Sequence, residues 1–314
     1  MTEILENNTI IFIGNGFDVA IGYKTKYANF YESDEFTRIA NHNELVKYIL
    51  EYNRHHELWT DLESALFEFT KECFLYYNGS DSDVAKNFEK DFNELRTALF
   101  VYLKRAQSQP IPVSDDHITG LVNQWIRLPW QVVSFNYTTV DLDRFSLNGR
   151  VTLNSDDTVN HTKFIYQHGS LYNTSSAQYN PTDSIVLGID ETQKVRDNFA
   201  FLYKNQQKRF NIKELFKYVA SKDVIIIYGC SMGQSDSIYF RQIFQKQHHK
   251  TFIIYGYTRA DMNNIKTKIR EWYGSYDNFE LNNNVHFIRL TDTAKDYVTE
   301  TKIIIDNLLQ QNHI

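Results

Sequence analysis

Four short clusters carry groups able to bind or transform a small polar ligand. The first, Gly14-Asn15-Gly16-Phe17-Asp18, directly follows the apolar run Ile10–Ile13. Glycine permits positive φ and lets a ligand come close to main-chain N–H groups. A strand, a glycine turn and a helix N-terminus together make a site for phosphate or pyrophosphate. Asp18 adds a carboxylate that accepts from a ribose hydroxyl or caps the helix. The second cluster is Ser134-Phe135-Asn136-Tyr137-Thr138-Thr139. Asn136 there offers one acceptor oxygen and two donor hydrogens, or serves as an N-cap. The third is Tyr166-Gln167-His168-Gly169-Ser170, with His168 as a general base near neutral pH or a structural residue beside a strand. The fourth, Tyr228-Gly229-Cys230-Ser231-Met232-Gly233-Gln234-Ser235-Asp236, repeats the physics of the first, with Ser235 or Asp236 placed to cap a helix.

Other chemistries are weaker in this chain. The glycine turn lacks the third small residue of the dinucleotide fingerprint, since Val19 stands there, and Asp34 and Glu35 lie in polar sequence rather than at a strand end. Gly229-Cys230-Ser231-Met232-Gly233 matches the G-x-S-x-G nucleophile elbow. A hydrolase of that kind needs an acid and then a histidine downstream. Asp261 or Asp277 followed by His286 fits the order, but His286 sits inside a strand pattern. Trp59 and Glu63 share a helix face, which reads as packing plus a solvated carboxylate, with a buried Glu63 capping a loop near the site as the alternative. No histidine has metal-ligand spacing with nearby carboxylates, so no metal is expected.

The elements that would carry these clusters read as an α/β fold. Five apolar, β-branched or aromatic segments predict buried parallel strands: Ile10–Ile13, Gln131–Phe135, Val224–Gly229, Phe252–Gly256 and Val285–Leu290. The last three alternate with helical patterns at Ser235–Gln247, Thr258–Trp272 and Ala294–Leu309, as in βαβ units. Shorter strands are predicted at Arg150–Leu153, Phe164–Gln167 and Ile185–Gly188. Between the first two main strands lies a long helical block. Val84, Phe88, Phe92, Leu95, Leu99 and Leu103 form one stripe, and Leu58, Leu62, Leu66 and Phe69 form another. The expected organisation is a Rossmann-like parallel sheet flanked by helices, built from residues 1–34 and 129–314, with a helical insertion subdomain at 35–128.

Composition bounds the function. The chain has 314 residues, with 42% hydrophobic and 23% charged, ordinary for a globular protein with its own core. A net charge of −6 weighs against nucleic acid as the main ligand. Two cysteines in apolar contexts fit a reducing cytoplasm. The polar, acidic residues 1–8 predict no signal peptide, and no apolar run predicts a membrane span.

Taken in this order, the clusters resemble the bacteriophage abortive-infection AbiH family. The resemblance rests on Ile13 to Asp18 with Gly22 and Tyr27, on Trp59 with Glu63, on Ser134 to Thr138, on His168-Gly169, and on Gly229 to Met232 with Asp236. The same order is similar, more remotely, to sirtuin-like NAD-binding domains. That likeness implies NAD as substrate rather than as a tightly bound cofactor. It implies Asn136 and His168 as catalytic residues. Gly14, Asn15, Gly16, Phe17, Asp18, Gly229, Ser231 and Asp236 would then be the nucleotide contacts. The four-cysteine zinc module of lysine-deacylating sirtuins is absent, which argues against that activity. The expected activity is hydrolysis of NAD at the nicotinamide–ribose bond by an antiphage effector that responds to a phage-derived trigger, with a homo-oligomer as a further expected partner. A nucleic-acid-cleaving toxin and a non-catalytic nucleotide sensor are the alternatives.

Overall fold

The computed structural model describes residues 8–55, 62–109, 116–128, 130–141, 145, 151–153, 162–171, 184–207, 212–233, 236–246, 248–290 and 294–311. Trp59 and Ser235 lie outside the described residues. Seven strands form one sheet: β1 (Thr9–Ile13), β2 (Trp130–Ser134), β3 (Val151–Leu153), β4 (Thr162–Tyr166), β5 (Val224–Tyr228), β6 (Thr251–Gly256) and β7 (Asn284–Arg289). Their order is β3-β4-β2-β1-β5-β6-β7, and every pairing is parallel. β1 and β5 are buried along their whole length, as central strands covered on both faces must be.

The fold is thus the α/β Rossmann-like sheet that the sequence predicts. Its strands lie within about two residues of the predicted segments, with one exception. Ile185–Gly188 is not a strand. Ile185 and Ile189 instead make isolated bridges to Gly169 and Tyr203. Gly188 (φ +152°) crosses so close to Leu202 that a Cβ would lie 2.0 Å from its carbonyl oxygen. The segment thus changes partner, from the His168–Gly169 backbone to Leu202 and Lys204, before either pairing extends into a ladder.

Successive strand residues face opposite sides of the sheet, and each face has its own core. On one face Ile11, Ile13, Val132, Ile226 and Ile253 pack with α1 (Asn15–Ile21), α7 (Asp116–Trp125) and α12 (Ala294–Gln311). On the other Ile10, Phe12, Val133, Ile225 and Ile254 pack with α8 (Ile212–Ala220), α9 (Ser237–Lys246), α10 (Arg259–Tyr273) and α11 (Tyr276–Asn282). A third core joins the helices between β1 and β2: α2 (Tyr27–Tyr31), α3 (Asp34–Ala40), α4 (Glu44–His55), α5 (Leu62–Tyr76) and α6 (Asp81–Ser108). The predicted stripe of α6, from Val84 to Leu103, is buried in that core. Ser80 and Asp83 start this helix with a reciprocal capping box. α7 also precedes β2 but packs with the sheet, through Leu121, Val122 and Trp125.

Strand order and register together position the site. β1 is followed on one side by β2 and on the other by β5, so the chain reverses its winding between β1 and β5, where open α/β sheets bind ligands. The register sets Ile13 beside both Ser134 and Tyr228, and Ser134 beside Tyr166. All four chemistry-bearing clusters therefore leave the sheet at one level of one edge.

Candidate functional site

The two glycine turns at this edge interlock. The Gly14 N–H donates to Tyr228 O at 3.0 Å and the Gly16 N–H to Gly229 O at 3.0 Å. A Cβ on Gly14 would lie 2.5 Å from Gly229 O, one on Gly16 would lie 2.5 Å from Gly229 Cα, and one on Gly229 (φ +66°) would lie 2.6 Å from Phe17 N. Glycine is required here for backbone-to-backbone contact. The expected anion cradle is consequently not built from the Gly14 and Gly16 amides, because both already donate to the neighbouring turn. Phe17 also turns away, its ring packing 6.0 Å from Tyr228 and 6.1 Å from Phe145.

Asn136 does not cap a helix. Its Nδ2 donates to Gly14 O at 3.0 Å and to Asp18 Oδ1 at 2.8 Å. Both amide hydrogens are thereby engaged, and the carboxamide oxygen is left as the group able to accept from a ligand. Thr138 Oγ1 donates to Asp18 Oδ2 at 2.5 Å. Burial pushes the Asp18 carboxyl up to about 7, against the opposing hydrogen bonds from Thr138, Asn136 and Thr25. Nearby, Thr25 Oγ1 donates to Asn15 Oδ1 at 2.5 Å.

His168 and Asp236 meet from different ends of the sheet edge. His168 Nε2 lies 3.0 Å from Asp236 Oδ1. Nε2 is buried there, and its approach to the carboxylate lacks the alignment of a regular hydrogen bond. Lys204 Nζ reaches the same Oδ1 at 2.9 Å and Glu63 Oε1 at 3.5 Å, while Tyr27 Oη donates to Glu63 Oε2 at 3.3 Å. Burial alone would push Asp236 up; Lys204 and His168 more than reverse this and hold its carboxyl well below the usual range. Burial pushes His168 down; Asp236 opposes that shift, Lys204 adds to it, and the ring stays below the ordinary histidine value. For Lys204, attraction to Asp236 and Glu63 outweighs burial and raises the ammonium. The resting site is thus an ionised carboxylate, a cationic lysine and a neutral imidazole.

These groups surround one cleft of about 450 Å³, lined by Gly14, Asn15, Asp18, Glu63, Asn136, Thr138, His168, Gly229, Ser231 and Asp236 among others. That size falls in the range of small-molecule sites. A model of the family described as bacteriophage abortive infection AbiH matches residues 10–257, from β1 through β6. The chain belongs to the AbiH family. Membership supports a role in phage abortive infection. No curated protein matches the chain.

The AbiH match contains each of the sequence-derived site residues. The structure brings eight of the ten to the cleft wall, whereas Gly16 presses on Gly229 and Phe17 faces the core. Glu63, which reads from sequence as a solvated carboxylate, is 5% exposed and belongs to the cleft. Lys204 carries no local signal: it lies in polar sequence on a 3₁₀ turn, Lys204–Gln206. Lys268 of α10 also lines the cleft, its amine donating to the Ser231 and Met232 carbonyls.

The nucleophile-elbow reading finds no support in this geometry. Among the described non-glycine residues, positive φ occurs at Met232 and His249 and not at Ser231. His286 lies within β7, paired with Ile253 two strands away from β5. Among the described residues no cluster of three or more His, Cys, Asp or Glu could hold a metal, and no helix is long and apolar enough to cross a membrane.

Proposed function

We propose that this AbiH protein hydrolyses NAD at the nicotinamide–ribose bond. The observation that carries the reading is the convergence of Asn136, His168 and both glycine turns on one cleft. Three carboxyl groups, those of Asp18, Glu63 and Asp236, also line the space. Breaking the glycosidic bond develops positive charge on the ribose ring, and carboxylates placed beside it stabilise an oxocarbenium-like state. In this reading the oxygen of water bonds to C1′ while the C1′–N bond breaks with its electron pair passing to nicotinamide. The proton of water goes to the His168–Asp236 pair and then to solvent. The Asn136 carboxamide oxygen accepts from water or a ribose hydroxyl and orients it. Gly14, Asn15 and Asp18 form one wall of the nucleotide site, and Gly229 and Ser231 the other. The sirtuin-like order of the clusters supports the same assignment.

The test is release of nicotinamide from NAD by purified protein, with and without extract of phage-infected cells. Asn136→Ala and His168→Gln are each expected to lower the rate at least about a hundredfold. NAD left intact in both conditions, with phage defence unchanged in His168→Gln, would overturn the reading. The net charge of −6 weighs against a polyanion, so fragmented RNA or DNA is not expected in challenged cells. Recovery of bound, chemically unchanged nucleotide would instead indicate a sensor.

A further inference from the structure

The position of Lys204 is fixed by backbone rather than by its own side chain. Its N–H donates to Ile189 O at 3.1 Å, and the Ile189 N–H donates to Leu202 O at 2.9 Å. From that anchor the ammonium, 3% exposed, spans Glu63 on α5 and Asp236 beyond β5. A permanent cation and an imidazole nitrogen therefore share one carboxylate oxygen, at 2.9 and 3.0 Å. The His168 ring also bonds to the Phe135 backbone, which leaves Nε2, the nitrogen without an aligned partner, as the lone-pair side of a neutral ring; a lone pair turned toward a carboxylate is repelled by it. The protonated ring would make a charge-assisted hydrogen bond of about twice the ordinary strength. A buried carboxylate paired only with His168 would consequently draw a proton into the gap at rest, and the pair could not act as a base.

We propose that Lys204 is a positioning residue of the cleft: by neutralising Asp236 through the oxygen that faces His168, it keeps the Nε2···Oδ1 gap empty of a proton until one is delivered by the reaction. The inference rests on the proposed NAD cleavage for the source of that proton, while the sharing of one Asp236 oxygen by Lys204 and His168 is a matter of geometry. During cleavage the proton lost by water enters the gap, is held between Nε2 and Oδ1, and leaves to solvent. Asp236, with 17% of its side chain exposed, gives the buried ring its connection to the cleft. The other titratable groups near the pair are Glu63, Tyr137 just beyond β2, Cys230 just beyond β5 and Tyr239 on α9; burial and Asp236 push the Cys230 thiol up. The His168 ring lies 5.9 Å from Tyr137 and 6.1 Å from Tyr239. Burial pushes both phenols up, so they stay uncharged.

The experiment is a pH titration of the His168 ring by NMR in the full chain, with its resonance identified by its loss in His168→Gln. Lys204→Met is expected to raise the midpoint so that proton affinity grows about tenfold or more. Lys204→Arg, which keeps the cation, should stay near wild type. Glu63→Gln removes the competing carboxylate and should lower the midpoint; it decides the matter if Lys204→Met does not fold. The acid limb of the NAD-cleavage rate should move with the ring. A His168 midpoint unmoved in both Lys204→Met and Glu63→Gln overturns the proposal. Movement as stated in a protein that leaves NAD untouched would uphold the charge assignment and remove the NAD reading instead.

Discussion

Asp18 is a buried carboxyl that accepts hydrogen bonds from Asn136 and Thr138, yet burial still pushes it up to about 7 from 3.8. The folded state therefore retains a proton that the unfolded chain has already released. The stability gained from this group is complete below the unfolded value and is lost as pH climbs through about 7. Urea unfolding of wild type is expected to weaken across that interval, by an amount that Asp18→Asn abolishes; identical pH profiles for the two proteins would contradict the shift. Asp236 behaves oppositely. Its depressed carboxyl contributes stability above the ordinary aspartate value and loses it only in stronger acid. At this scale the sequence was informative about position and silent about partnership. Asn136 and His168 stand out because they end apolar strands. Lys204 does not, because its meaning comes from Glu63 and Asp236, which are remote in sequence. The direction of the Asn136 amide was equally hidden, since the Gly14 carbonyl that fixes it belongs to another strand's turn.

At the level of elements, the two glycine turns act as one structural unit. A side chain on Gly229 meets both an unfavourable φ of +66° and the backbone of Gly16 and Phe17. Gly274 also has positive φ, +92°, but nothing lies within 4 Å of a Cβ there. Gly229→Ala should therefore cost about 3 kcal/mol or more, from strain plus displaced backbone. Gly274→Ala should cost only about 1–2 kcal/mol, the left-handed backbone penalty alone. Equal losses in chemical denaturation would refute the interlock. The main strands were legible because they are short apolar runs ended by glycine or polar residues, and α6 was legible from its unbroken stripe. The segment 185–188 looked like the strands in composition. What separates it is Gly188 crossing the Leu202 backbone, a tertiary contact without a local signature. The same limit explains the anion cradle: Gly14 and Gly16 have the right composition for it, but β5 brings Tyr228 and Gly229 to their amides.

Across the whole molecule, the helical block and the sheet meet at the site itself. Glu63 comes from α5, Lys204 from the 3₁₀ turn, and Asp236 from beyond β5. Arg96 of α6 donates to Ile185 O at 2.6 Å, tying the block to the segment that follows Gly169. The helical core and the sheet should accordingly unfold together. Phe88, fully buried among Phe69, Phe199 and Phe201, supplies a probe. Phe88→Ala should cost about 3–5 kcal/mol and speed hydrogen exchange in β1 and β5 as well as in α6. Faster exchange confined to the helices would show that the two parts unfold separately. Family membership supports a role for this molecule in phage defence.

The most direct test of that account is the NAD content of cells expressing the protein during phage infection, compared with cells expressing His168→Gln at equal level. Loss of NAD with accumulation of nicotinamide and ADP-ribose is expected in the first and retention in the second. NAD held at its uninfected level while wild-type protein still blocks the phage would contradict it.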